Sequence, residues 1–284
     1  MNLLFSDEQA VEMAYELPLH AKIDKAVALL CHYENEANTM SAEGYCVAFS
    51  GGKDSGVIAK LAEMAGIRHT LDYSVTTIDP PELVRHIKDN YNVNFHRQPR
   101  AMLTEMVENK SCKGPPTRFA RWCCEKYKEN TGNGQWKVLG IRAAESPRRK
   151  KIWKQVIVNN NNNKVCIVNP ILYWTDKDVW DFHQERKIQS CQLYSEGFKR
   201  LGCIGCPLAG AKQQRIGFDR WPKYEFLWRR AFDRFWAKWH GVPTLKGKRR
   251  YFEDFGSAQG FWEWWTSGKK KTESACLGIT DLFS

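Results

Sequence analysis

Tyr45-Cys46-Val47-Ala48-Phe49-Ser50-Gly51-Gly52-Lys53-Asp54-Ser55, residues 45–55, is the stretch on which the reading of the whole chain turns. Its first five residues form a short apolar run of the kind that fills a buried strand in a parallel sheet. Gly51 and Gly52 break that run, and two glycines without Cβ atoms let several backbone N–H groups turn toward one anion. Val57, Ile58, Leu61, Ala62 and Ala65 then fall on one helical face, so the loop opens a helix. The N-terminal partial charge and free N–H groups of that helix favour phosphate. Lys53 adds a full positive charge, and Ser50 and Ser55 add hydroxyl donors. The spacing excludes the other common phosphate loop, G-x-x-x-x-G-K-[ST].

Outward from this stretch, strand and helix alternate, which predicts a parallel sheet with right-handed crossovers. Residues 68–77, 93–96, 136–141 and 165–168 read as further strands, and residues 81–91 as a helix. The Asn159–Asn163 run reads as a polar turn. Ahead of the sheet, Ser6 with Gln9 forms a capping-box pattern, and Ile23, Val27, Leu30 and Tyr33 share a helical face. The expected fold class is therefore α/β, a Rossmann-like parallel sheet with flanking helices. An N-terminal helical segment (1–42) precedes the nucleotide-binding α/β domain (43–190). A C-terminal helical, cysteine-containing basic region (191–284) follows it.

Ligands of such sheets sit beyond the carboxyl ends of the strands, so the residues after each strand matter most. After the second strand stands Asp79, which either caps the next helix or faces a nucleotide. After the fourth comes GIRAAESPRR, residues 140–149. Arg142, Ser146, Arg148 and Arg149 there could hold phosphate or sulfate oxygens by charge-assisted bonds, or form a solvated basic loop.

SGGKDS resembles the pyrophosphate loop of the adenine nucleotide alpha hydrolase superfamily, and the likeness sharpens to its phosphoadenosine phosphosulfate reductase-like branch over residues 44–208. The matching elements are SGGKDS, RWCCEKYKE at 121–129, GIRAAESPRR, NPILYWTDKDVWDF at 169–182 and LYSEGFKRLGCIGCP at 193–207. The resemblance implies that Ser50, Gly51, Gly52, Lys53, Asp54, Ser55, Asp79, Gly140 and Arg142 bind an adenine nucleotide. It further implies ATP cleavage between the α and β phosphates, with Lys53, Asp54, Arg142 and Arg149 in the catalytic roles. Asp54 would help to place a Mg2+ ion, which prefers carboxylate and phosphate oxygens. Thr175 is an expected N-cap, with Asp176 and Asp178 in the first turn of its helix.

Cys123-Cys124 and Cys203-x-x-Cys206 offer four thiolates, a set that suits tetrahedral Zn2+ or a [4Fe–4S] cluster. A vicinal pair with a distant C-x-x-C resembles the cluster signature of the adenylylsulfate reductases. Those reductases end in E-C-G-L-H, and Glu273-Ser274-Ala275-Cys276-Leu277-Gly278-Ile279 matches that ending only weakly. Their pyrophosphate loop is usually degenerate, whereas the loop here is intact. An intact loop with four cysteines is similar to the ATP-dependent sulfur-inserting relatives that act on DNA or tRNA.

Ten cysteines in 284 residues, with no basic n-region in MNLLFSDEQ and no apolar run of membrane length, predict thiols or metal ligands in a cytoplasmic protein that does not enter membranes. The net charge of +11 is uneven: residues 208–271 carry 15 Lys and Arg against 6 Asp and Glu. Aromatic and basic residues alternate from Arg220 to Trp265, and LKGKRRY at 245–251 is the strongest candidate for contact with nucleic acid. Phe226, Phe235 and Trp239 are expected to pack on the core. Three functions follow. One is adenylation with sulfur transfer to a nucleic acid, helped by a sulfur donor protein. Another is a sulfonucleotide reductase fed by an electron donor protein. A third is a nucleotide-binding accessory protein without turnover.

Overall fold

A computed structural model describes residues 7–109, 114–159, 165–244 and 246–269 of the chain. Three helices lead: α1 (Asp7–Glu16), α2 (Leu19–His32) and α3 (Glu34–Met40). Then follow β1 (Tyr45–Ala48), α4 (Lys53–Ala65), β2 (His69–Val75), α5 (Pro81–Asn90), β3 (Asn94–Arg97) and α6 (Met102–Glu108). A single turn, α7 (Trp122–Cys124), runs on as a wider π turn over Glu125–Glu129. Beyond it lie β4 (Trp136–Val138), α8 (Pro147–Ile152), β5 (Val156–Asn159), β6 (Val165–Val168) and α9 (Asp176–Glu185). The last helices are α10 (Ala211–Arg220), α11 (Pro222–Trp239) and α12 (Ala258–Ser267).

These elements fall into two compact units, residues 1–74, 81–96 and 131–201 in one, and 75–80, 97–130 and 202–284 in the other. The first unit holds a six-stranded sheet in the order β3-β2-β1-β4-β6-β5. β1 runs parallel to β2 and β4, and β4 runs parallel to β6. The sheet is thus α/β and mostly parallel, as the alternation of strand and helix requires. β5 departs from that rule by pairing antiparallel with β6, Val156 opposite Val168. It was absent from the expected strands, because Val156-Ile157-Val158 is short and runs straight into the asparagines.

Ile23, Ala26 and Leu30 on one face of α2 are buried in one cluster with Val57, Ile58, Leu61 and Ala62 of α4 and with Tyr45 and Val47 of β1. Tyr45 anchors β1 beneath this layer by donating its hydroxyl hydrogen to the Leu30 carbonyl at 2.8 Å. Thr175 and Asp178 form the capping box of α9, each side chain bonding the other's backbone N–H.

The second unit is helical, with an aromatic core. Trp228, Phe232 and Phe235 of α11 are buried with Phe252, Phe261, Trp262 and Trp265. Trp228 and Trp265 lie with ring centroids 4.7 Å apart. Removing a ring as buried as Trp228 from such a core costs about 3–5 kcal/mol. Among the described residues no helix is long and apolar enough to cross a membrane.

Candidate functional site

The strand order reverses at β1: one connection leads to β2 on one side, and the chain later returns to β4 on the other. A crevice opens at such a switch point, beyond the carboxyl ends of the two strands. The loop after β1 carries Ser50 to Ser55, and the loop after β4 carries Gly140 to Arg142, so the expected phosphate residues come from the two lips of that crevice.

Gly51 has a φ of 71°, and a Cβ there would lie 2.6 Å from Ile87, so the turn needs glycine on both counts. Gly52 N-caps α4 with no side-chain hydrogen bond. Ser55 donates to the Gly52 carbonyl at 2.8 Å and Ser50 to the Ser55 oxygen at 3.2 Å, which fixes the loop. A Cβ on Gly140 would stand 3.1 Å from the Asp54 carbonyl, so this glycine allows the two lips to close on each other.

Two cations and two carboxylates meet at this point. The Lys53 ammonium donates to Asp54 at 3.2 Å and to Asp176 at 3.0 Å. Arg142 donates through Nε to Asp54 and through Nη2 to Asp176, both at 2.6 Å. Lys53 and Arg142 are buried, whereas the Asp176 side chain is 69% exposed. Partial burial pushes the Asp176 carboxyl up, but Lys53 and then Arg142 outweigh it and hold the group below its usual value. Both cations are therefore held ready at the start of α4, where an anion gains from the helix end as well.

Two further residues hold the loop through contacts that no sequence pattern marks. Tyr194 accepts the Lys53 backbone N–H at 2.8 Å, and its oxygen is near enough to Gly52 that a Cβ there would lie 3.4 Å away. The hydroxyl thus sits on the first free N–H of the helix. His183 bonds the Lys53 carbonyl through Nε2 at 2.8 Å and Ser190 through Nδ1 at 3.1 Å. A carbonyl can only accept, so Nε2 carries the proton and Nδ1 accepts from Ser190. Burial lowers the His183 pKa and keeps the ring neutral. The chain separations, 141 and 130 residues, left no local signal for either contact.

Arg149 is placed otherwise. It pairs with Glu145, which also takes Arg200 at 3.1 Å, while its backbone N–H is bonded by Ser146, the cap of α8. Arg148 is exposed.

The second unit gathers the four expected thiols. Cys123 and Cys124 leave α7, which Trp122 anchors by donating to the Gly114 carbonyl at 3.0 Å. Cys203 to Cys206 form a tight loop in which Gly205 has a φ of 78° and would clash with Trp228 at 2.6 Å if it bore a Cβ. Trp228 donates to the Ile204 carbonyl at 3.0 Å and Gln214 to the Gly205 carbonyl at 2.9 Å, so the loop is tied to α10 and α11.

Cys203 lies 3.6 Å from the Thr76 hydroxyl and 3.7 Å from an Asp79 oxygen. Asp79, expected as a helix cap or nucleotide contact, accepts the Thr76 N–H at 3.1 Å and stands beside the thiols. The hydrogen bond from Cys123 lowers the pKa of Cys124 to about 5 against the cost of burial, with help from Arg121 and Lys128. Cys123 is pushed up by the same hydrogen bond, by burial, and by the nearness of Cys124, Cys203 and Cys206. Cys203 raises the pKa of Lys128.

Among the described residues, no three His, Cys, Asp or Glu side chains are arranged to hold one metal ion. A single tetrahedral ion would need thiolates about 3.8 Å apart, whereas a cubane takes one thiolate per iron and spreads them further. Cys123 feels the charges of Cys124, Cys203 and Cys206, Arg121 and Lys128 act on Cys124, and four soft thiol donors suit either group. Cys46, Cys166 and Cys191 are buried and Cys31 is exposed. Cys276, Lys270, Lys271, Leu245 and the Asn160–Asn163 run lie outside the described residues.

Two of the C-terminal cations have partners within the chain. Arg249 pairs with Glu253 at 3.1 Å and Asp254 at 3.2 Å. Arg250 donates to the Val242 carbonyl at 2.7 Å and the Pro243 carbonyl at 3.2 Å, and lies over Trp239. The two arginines of LKGKRRY thus fold their own segment. Phe235 is buried and Trp239 half-buried, as expected, but Phe226 is 59% exposed.

The family model for the phosphoadenosine phosphosulfate reductase domain matches residues 44–209. An uncharacterised protein of Methanocaldococcus jannaschii is 26% identical over 236 residues, 77% of this chain and 45% of the relative. A second from that organism is 28% identical over 232 residues, 76% of this chain and 51% of the relative. An adenosine 5′-phosphosulfate reductase of Anoxybacillus flavithermus is 28% identical over 106 residues, 35% of this chain and 43% of that enzyme. The chain spans about half the length of the curated relatives it matches. Among solved structures, Candida glabrata FMN adenylyltransferase with FAD and pyrophosphate aligns over 69% of this chain and 70% of its own, at 16% identity and a TM-score of 0.44. The phosphoadenylyl-sulfate reductase of Candida auris aligns over 72% and 98%, at 14% identity and a TM-score of 0.39.

Proposed function

Because the chain belongs to the phosphoadenosine phosphosulfate reductase domain family, we propose that it binds ATP at the crevice between β1 and β4 and cleaves it between the α and β phosphates, adenylating an oxygen that sulfur then replaces. The observation that carries this reading is the convergence of Lys53 and Arg142 on the N-terminus of α4, with the SGGKDS loop intact.

In this mechanism the loop N–H groups and Lys53 take the β and γ phosphates. Arg142 turns from its carboxylates to the α phosphate and balances the charge that grows there. The acceptor oxygen forms a bond to the α phosphorus as the bond to the β-phosphate oxygen breaks, and pyrophosphate leaves with the electron pair. Asp54 and Asp176, released from the two cations, would hold Mg2+, which supplies further neutralisation of the phosphates. A sulfur nucleophile from a donor protein then displaces AMP from the acceptor.

We assign Cys123, Cys124, Cys203 and Cys206 to a [4Fe–4S] cluster, which when bound would hold or relay sulfur. Arg121 and Lys128 would lower the cost of such a cluster's negative charge, and Asp79 belongs with this group in our reading. The acceptor we favour is a nucleic acid, because the basic excess lies in residues 208–271. Arg149 serves this reaction by holding the loop after β4 through Glu145.

The thiols and the reductase named among the relatives support a second reading, reduction of a sulfonucleotide. The two are separated by their products. Under anaerobic conditions with ATP, a sulfide source and DNA or RNA, our reading expects pyrophosphate, AMP and a sulfur-bearing nucleotide found by mass spectrometry. Sulfite from an activated sulfate, with no pyrophosphate from ATP, would replace it with the second.

A further inference from the structure

The cations of the second unit are mostly committed. Arg215 forks onto Glu225, Arg229 pairs with the same carboxylate, and Arg234 and Lys238 share Glu108. Arg249 and Arg250 are engaged in their own segment. Against this background the outer face of α11 stands apart. Lys223, Phe226, Leu227 and Arg230 lie at spacings of three and four, so they share one side of the helix, opposite the buried Trp228, Phe232 and Phe235.

Phe226 is 59% exposed and Leu227 45%. The Arg230 guanidinium lies over the Phe226 ring at 5.6 Å from its centroid. Among the described residues neither Lys223 nor Arg230 forms an ion pair. An exposed aromatic ring under a guanidinium, with a second unpaired cation beside it, offers a stacking surface and positive charge together. Each nucleotide matches both features, with a base to stack and a phosphate to neutralise, and the basic excess of residues 208–271 favours such a polyanion. The base must be unstacked to reach the ring, which selects single strands over duplex.

We propose that this face of α11 binds single-stranded nucleic acid, with Phe226 stacking a base and Lys223 and Arg230 contacting the adjoining phosphates. The inference rests on the nucleic-acid acceptor proposed above, and it moves the contact away from LKGKRRY to a helix face.

The test uses the full chain and fluorescently labelled DNA and RNA of about 20 nucleotides, single-stranded and duplex, with binding followed by anisotropy. Phe226→Ala is expected to weaken single-strand binding about tenfold with little change in duplex binding. Phe226→Trp should keep it. Lys223→Ala and Arg230→Ala should each flatten the log–log salt dependence by roughly 0.7. Unchanged single-strand affinity in Phe226→Ala would overturn the inference and leave the proposed reaction standing. So would an equal loss on duplex, or a drop in molar mass showing that the face joins two copies. If the unaltered chain binds no oligonucleotide even at low salt, the nucleic-acid acceptor itself fails, and this surface with it.

Discussion

Arg142, in the loop after β4, donates through Nε to the carboxylate of Asp54, in the first turn of α4, at 2.6 Å and across 88 residues of chain. The bond ties together the two loops that flank the point where the strand order reverses. It also holds a buried guanidinium at the place where an anion would gain most from the helix end.

Arg142→Ala should therefore act twice. It leaves Asp54 and Asp176 facing each other with Lys53 alone, and because both carboxylates keep some solvent the stability loss should be roughly 1–3 kcal/mol rather than the full cost of a buried pair. Turnover should fall far more than stability, since the group placed at the α phosphate is gone. Denaturant melts beside steady-state rates would check this. A variant as active as the unaltered chain would remove Arg142 from the site.

Tyr194 occupies the Lys53 N–H that the proposed nucleotide needs. Tyr194→Phe removes the hydroxyl and should tighten ATP binding several-fold, on the scale of one modest hydrogen bond no longer exchanged. Calorimetric titration with ATP reads this directly. Weaker binding in the variant would show that the hydroxyl helps to hold the nucleotide.

Much of this site was legible in the sequence, and the reason is local. A short apolar run, two glycines and an amphipathic run fix a strand, a turn and a helix without help from elsewhere, and the capping pair Thr175 and Asp178 stands three residues apart. His183 and Tyr194 were not legible, because nothing near them in the chain marks their contacts with Lys53. Phe226 was misread for a different cause: α11 carries aromatic residues on more than one side, so spacing alone does not say which side is inward. The engagement of Arg249 was readable after all, since Glu253 follows it by four residues.

His183 gives the protein a pH dependence of known sign. Its pKa is lowered in the folded state, chiefly by burial, so the unfolded chain takes up a proton first as the pH falls. The stability that His183 contributes is complete above its unfolded value of about 6.5 and is lost as the pH drops through that value toward the folded one. His183→Gln, whose amide nitrogen stands where the ring Nε2 does and can donate to the Lys53 carbonyl, should lose less stability between about pH 7 and pH 5 than the unaltered chain. Denaturant midpoints at the two pH values decide it, and equal losses would sink the assignment.

The thiols make a separate prediction. Anaerobically purified protein should be brown, with broad absorbance at about 400 nm. Serine at any one of Cys123, Cys124, Cys203 or Cys206 should reduce that absorbance and the bound iron, while serine at Cys31 should leave both intact. Bound zinc with no iron in the unaltered chain would replace the cluster with a zinc site.

The central claim is that SGGKDS holds ATP for cleavage between its α and β phosphates. The most direct measurement is pyrophosphate release from ATP by the unaltered chain and by Lys53→Ala, with circular dichroism to show that both are folded. The account predicts pyrophosphate and AMP from the first and at least a hundredfold less from the second, about the loss expected when a group stabilising the transition state is removed. Equal pyrophosphate release by both folded proteins, or release of ADP and inorganic phosphate in place of AMP and pyrophosphate, would contradict it.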